Sequence, residues 1–265
     1  LREKHPEIQL VGSSGPFASG DFFDYGWEKM RELGVDLVDE HYYMSADWFL
    51  KNAGRYDDYP RSGPKVFAGE FAAQSINTTN PENRNNWETA LSEAAFITGL
   101  ERNSDLVVMT SYAPLLAHAE AWQWKPDLIW FNNLESYGTA NYEVQKLFGN
   151  HTGTHLLEIH AQNKPLIGQE GLYASSVLDA NSGELIVKLV NTNEAALEIN
   201  ISVSGSKLSR KANVILLQSD DRDAVNSFEA PSVIAPKTET LNLSGNTIRV
   251  KLLPSSVTVI RTPIK

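Results

Sequence analysis

The sequence predicts an α/β first part joined to an all-β second part. Three observations carry that prediction. Up to about residue 155, short apolar strands alternate with helical patterns. The strands of this part end in polar or aromatic residues. From about residue 168, strand-length segments follow one another with turn signals between them and no helical pattern. The division expected from this is 1–155 for the α/β part and 156–265 for a β-sandwich.

Each element has its own warrant. Residues 8–12 (IQLVG) are a short apolar run before a Gly/Ser/Pro loop. Residues 24–33 predict a helix, with Trp27, Met30 and Leu33 at helical spacing and Gly34 as its stop. Residues 35–43 (VDLVDEHYY) predict the second strand, and Trp48–Phe49–Leu50 a short helix. Residues 66–72 (VFAGEFA) predict the third strand. Residues 85–102 give the clearest helix, with Trp87, Leu91, Ala94, Ala95 and Thr98 on one face and Glu88 and Glu93 on others. Residues 106–112 predict the fourth strand and 141–148 the last helix. Seven further strands are expected at 172–178, 185–191, 197–203, 214–218, 239–243, 247–253 and 256–261. Residues 1–6 (LREKHP) read as the tail of a helix, so the chain is expected to start within a fold.

Four βα units in a row make half of an eight-stranded barrel; a small doubly wound sheet also satisfies the pattern. Composition narrows the function. The formal net charge of −10 disfavours a nucleic-acid partner, because such binding rests on Lys and Arg neutralising phosphates. No run approaches the ~18 apolar residues of a membrane span. The absence of cysteine removes thiolate chemistry and Cys-based zinc sites.

Two features carry chemistry. Glu70 sits in an apolar strand beside Gly69, where a carboxylate is either at an exposed strand end or costly to bury. In a parallel barrel, strand C-termini are where sites are built. The second feature is Asp39-Glu40-His41-Tyr42-Tyr43. Alternation along a strand puts His41 and Tyr43 on one face and Tyr42 on the other. His151 and His155 are four apart but lack the Glu of a zinc-protease motif, and no metal is expected. Asp220, Asp221 and Asp223 read as a solvated acidic turn.

The segments DEHYY (39–43), KVFAGEFA (65–72), LSEAAFITGLERNSDLVVMTSYAPL (91–115), WKPDLIWFNN (124–133) and YGTANYEVQKLF (137–148) resemble, in order, α-L-arabinofuranosidases of glycoside hydrolase family 51. The resemblance implies strands five to eight of a (β/α)8 barrel followed by a jelly-roll-like antiparallel β-sandwich. It implies retaining hydrolysis of terminal arabinofuranosyl groups on arabinan- or arabinoxylan-type polysaccharides, without a cofactor. It makes Glu70 the catalytic nucleophile, and His41 and Tyr43 contacts to sugar and nucleophile. A polysaccharide substrate tilts the expected location towards secreted or periplasmic.

The sequence departs from the family in one respect. The family's general acid/base is a Glu in an Asn-Glu pair ending strand four, and here the pair Asn193-Glu194 falls in the sandwich region. The expectation is a fragment without its acid/base, inactive alone, that self-associates or pairs with the absent N-terminal half. The alternatives are a non-catalytic carbohydrate-binding fragment and another retaining barrel glycosidase of xylanase-like type.

Overall fold

The computed structural model describes all 265 residues. Four parallel strands, β1 (Val11–Ser13), β2 (Leu37–Ser45), β3 (Lys65–Gln74) and β4 (Val107–Tyr112), form an open sheet in that order. Helices α1 (Asp21–Leu33), α2 (Ala46–Lys51) and α3 (Trp87–Arg102) connect them, and α4 (Ala140–Gly149) follows. Local chemistry sets the helix ends. Ser45, Asn86 and Thr139 cap α2, α3 and α4 by accepting from backbone N–H groups of the first turn. Gly34 ends α1 at φ 61°, the left-handed conformation that glycine adopts without a Cβ penalty.

The helix tail expected at residues 1–6 is not formed. That segment holds only a turn, with Lys4 and His5 N–H donating to the Leu1 carbonyl. Pro6 supplies no N–H and biases His5 away from helical backbone. The first strand is also later than expected, at Val11–Ser13.

Between β4 and α4 lies a small sheet that the sequence pattern does not reveal. It consists of β5 (Leu116–His118), β6 (Ile129–Phe131) and β7 (Ser136–Gly138). Strands of three residues are too short to show a period.

After α4 come β8 (His155–Leu157), the two-residue strands β9 (His160–Ala161) and β10 (Lys164–Pro165), then β11 (Leu172–Asp179), β12 (Glu184–Asn191) and β13 (Leu197–Ser202). The remaining strands are β14 (Lys211–Gln218), β15 (Lys237–Asn242), β16 (Thr247–Leu252) and β17 (Ser256–Pro263). Six of them form an antiparallel sheet in the order β15-β14-β17-β12-β11-β8, while β13 pairs with β16. Leu185, Val187 and Leu189 point to the core shared with Ile248 and Leu252 of β16. Ile186 and Val190 point the other way, into the core shared with α3. Burial on both faces explains why β12 reads as a nearly continuous apolar run.

The one charged residue in the middle of that run, Lys188, lies on the α3 face. It is fully buried and forms an ion pair with Glu101 of α3, whose other oxygen accepts from Ser175 Oγ at 2.5 Å. The far end of α3 is tied down as well: Trp87 Nε1 donates to the Ser255 carbonyl at 2.8 Å, and Arg222 pairs with Glu88 at 2.6 Å. Helix α3 therefore packs between the parallel sheet and the antiparallel one. This corrects the one-faced pattern expected for it: Glu93, expected off the apolar face, is fully buried.

Candidate active site

The site is built on the two central parallel strands. Along β2, Val38 and Tyr42 enter the helix-side core, with Glu40 buried on that same face. Asp39, His41 and Tyr43 therefore project from the opposite face. Along β3, Val66, Ala68, Phe71 and Ala73 enter the helix-side core. This period of two breaks between Ala68 and Phe71. The pairing shows the cause: Glu40 lies opposite Ala68, whereas His41 lies opposite Glu70, so Gly69 is an extra residue in a β-bulge. The bulge turns Glu70 onto the face of His41 and Tyr43.

Gly69 has a second role. A Cβ at this position would lie 2.0 Å from Asp39 Oδ1, so any other residue would force that carboxylate out of its present position.

The side chains converge on one oxygen. Tyr43 OH donates to Glu70 Oε2 at 2.7 Å, and His41 Nδ1 lies 3.5 Å from the same atom. The other ring nitrogen of His41, Nε2, meets Asp39 Oδ2 at 2.8 Å. The hydrogen bond to Asp39 raises the pKa of His41 above the ordinary histidine value, against the opposing effect of burial. Burial first, then the hydrogen bond to Glu70, pushes the Tyr43 phenol up, so Tyr43 is a neutral donor at any ordinary pH. Trp124 leans on Tyr43 with ring centres 5.1 Å apart. Glu70 keeps 43 % of its side chain exposed, against 16 % for His41. A carboxylate with one oxygen held by donors and access to solvent is suited to meet a ligand.

The structure thus brings Glu70, His41 and Tyr43 together. Two further members of the cluster, Asp39 and Trp124, lie in segments quoted from the sequence but were given no role there. Asp39 was legible in principle, two positions before His41 on the same strand face. Trp124 was not, because its place against Tyr43 depends on how the segment after β4 folds back.

Other titratable groups are engaged elsewhere. Glu40, on the back of β2, accepts from Trp27 Nε1 at 2.8 Å, Tyr56 OH at 2.9 Å, Tyr59 OH at 3.2 Å and Tyr42 OH, with Arg55 Nε at 3.4 Å. His151 Nδ1 is 2.7 Å from the Leu147 carbonyl and His155 Nδ1 is 2.8 Å from Thr154 Oγ1. Asp220, Asp221 and Asp223 accept from Gln218 Nε2, Asp223 N and Asn86 Nδ2. No group of three His, Asp or Glu side chains is arranged to hold a metal ion.

Comparison with known proteins agrees with this architecture. The family model for the α-L-arabinofuranosidase C-terminal domain matches residues 69–256. An extracellular exo-α-L-arabinofuranosidase of Streptomyces chartreusis is 51% identical over 165 residues, which are 62% of this chain and 19% of that protein. α-L-Arabinofuranosidase 2 of Arabidopsis thaliana is 30% identical over 258 residues, 96% of this chain and 36% of that one. The chain therefore spans about a third of the plant relative's length. An arabinose-bound family 51 α-L-arabinofuranosidase superposes over 100% of this chain and 41% of its own, with TM-score 0.87 and 28% identity. The arabinose complex of the Thermotoga maritima enzyme superposes over 98% at TM-score 0.75 and 19% identity, a likeness of fold. The fold is a partial (β/α)8 barrel followed by an antiparallel β-sandwich.

Proposed function

The chain belongs to the α-L-arabinofuranosidase C-terminal domain family, and from that premise we propose that it carries the nucleophile side of a retaining α-L-arabinofuranosidase active site. Residues 1–155 are the barrel segment and 156–265 the sandwich that supports it. The parent enzyme removes terminal arabinofuranosyl groups from arabinan- or arabinoxylan-type glycans.

The observation that carries this reading is the convergence of Tyr43 OH and His41 Nδ1 on Oε2 of a half-exposed Glu70 across two adjacent parallel strands. Glu70 Oε1, which accepts no hydrogen bond within the chain, attacks the anomeric carbon as the leaving oxygen departs. Tyr43 holds the other oxygen, Oε2, in place by donating to it at 2.7 Å. His41 and Tyr43 also contact the sugar. Retention requires a second carboxyl group ~5–5.5 Å away, to protonate the leaving oxygen and later to activate water. We assign that group to a part of the parent protein outside these 265 residues, so the chain alone does not turn over. Its edge strands β1 and β4 expose Val11, Val108 and Met109, and these surfaces pair with the rest of the barrel or with another copy.

The test is hydrolysis of a chromogenic α-L-arabinofuranoside by this chain and by a form extended N-terminally to a whole barrel. Turnover by the extended form only, abolished by Glu70→Ala, is expected. Hydrolysis of unbranched xylan in place of arabinofuranosides would transfer the site to a xylanase-like enzyme. Arabino-oligosaccharide binding unaffected by Glu70→Ala, with no turnover in either form, would leave a carbohydrate-binding role.

A further inference from the structure

Resting on the reading of Glu70 as nucleophile, we propose that Asp39 is a positioning residue that acts through His41, anchoring Nε2 so that Nδ1 stays aimed at Glu70. Three independent features of the structure support it.

The first is connectivity. Asp39 Oδ2, His41 Nε2, His41 Nδ1 and Glu70 Oε2 form an unbroken line with separations of 2.8 Å and 3.5 Å at its two gaps. Both ring nitrogens face carboxylate oxygens, and a carboxylate only accepts. The hydrogen bond at Nε2 and the Glu70 carboxylate beside Nδ1 both favour the protonated ring, in keeping with the raised pKa of His41. The charged groups facing the ring are Asp39 from its own strand and Glu70 from β3. Tyr43, the remaining titratable neighbour, is neutral, and Asp127 acts on Tyr43 rather than on the ring.

The second is the space reserved for Asp39. The bulge that turns Glu70 towards the site places the one residue without a Cβ against Asp39 Oδ1. The bulge thus orients the nucleophile and makes room for the group that orients its neighbour.

The third is an imbalance. Asp39 Oδ1 is buried and accepts no hydrogen bond, while Oδ2 is committed to His41. A carboxylate kept for stability is normally satisfied at both oxygens, as Glu40 is on the reverse of the same strand. Asp39 gives up one acceptor and retains the contact to His41.

The consequence is a ring held with Nδ1 beside Oε2 of the nucleophile, which leaves Oε1 for attack. Because Asp39 acts through His41, its loss should lower kcat and leave KM nearly unchanged.

The test has two arms. In the 265-residue chain, NMR titration of the His41 ring is compared between wild type and Asp39→Asn. The apparent pKa of His41 should fall by about one unit or more, the change expected when a paired carboxylate is removed. In the N-terminally extended form, Asp39→Asn should lower kcat about tenfold or more, less than the ~10²–10⁴ of a group that itself transfers the proton, because Asp39 acts through His41. Its pH profile should shift towards the lower pKa of His41, and Asp39→Glu should recover part of the loss. In a His41→Gln background Asp39→Asn should have little further effect, because the two act as one unit. An unchanged His41 titration, or equal kcat losses with and without His41, would overturn the proposal. Failure of the extended form to hydrolyse any arabinofuranoside, with the NMR shift still present, would instead overturn the nucleophile assignment and keep the Asp39–His41 pairing.

Discussion

The two faces of β2 carry carboxylate clusters built to opposite ends. On the helix side, Glu40 is fully buried and receives donors from three tyrosines, a tryptophan and Arg55. On the other side, Glu70 has one hydrogen-bond donor and a nearby His41 Nδ1 at one oxygen, none at the other, and nearly half of its side chain in solvent. Both lie within an ordered aromatic surround, so polarity alone does not distinguish them. The difference is in satisfaction. A carboxylate with its acceptor capacity filled and water excluded holds the fold together. One held by half and left accessible is arranged to react.

The comparison can be broken or sharpened by urea denaturation of single variants. The largest loss is expected for Glu40→Gln, which leaves the Arg55 guanidinium buried without its counter-charge. Removing one partner of a buried pair typically costs ~3–5 kcal/mol. An Arg55,Glu40 pair that proves dispensable would place the cluster outside the folding core.

Next comes Glu93, whose Oε1 accepts from Ala73 N at 2.7 Å while Oε2 has no partner. Burial lifts its pKa from 4.5 to about 8. In the unfolded chain Glu93 ionises from its ordinary pKa upward, while in the folded protein it stays protonated to about pH 8. The unfolded state therefore binds fewer protons across that window, and stability contributed by this site declines as pH rises from about 4.5 to about 8. Glu93→Gln should flatten that part of the stability–pH curve. An unchanged slope would show that the carboxyl is ionised in the folded protein.

A smaller effect is expected for Asn86→Ala. Its side chain accepts from Thr89 N at 3.1 Å at the head of α3, and loss of such a cap costs ~1 kcal/mol, readable as a shift in the urea midpoint. Glu70→Gln should change stability least, by ~0.5 kcal/mol or less, as expected of an accessible side chain whose tyrosine contact an amide oxygen can still accept. The same substitution should abolish turnover by the extended form. Should it destabilise the chain as much as Glu40→Gln does, the contrast between the two carboxylates is lost.

Much of the fold was legible because its signals are local. The alternation of 197–203, the apolar run of 185–191 and the Gly34 stop each depend on a few neighbouring residues, and each element formed close to where its pattern lies. The failures are equally physical. The strands of three residues between β4 and α4 have no measurable period. Glu93 was placed off the apolar face because a helix packed on two sides has no polar face to distinguish. Of the site, His41 and Tyr43 followed from strand alternation. Asp39 lies on that same face, but its importance rests on its contact with His41.

By itself the sequence determined that a carboxylate, a histidine and a tyrosine would stand on two successive strands, although both strands run further than expected, to Ser45 and Gln74. Only the tertiary structure decided that they meet. Without the bulge, His41 would lie opposite Gly69 and Glu70 would point into the helix-side core. The extra residue shifts the register by one and reverses the face. Register is set between strands by pairing and packing, whereas alternation belongs to each strand alone. For that reason the residues of this site could be read from the chain, but their convergence on one oxygen could not.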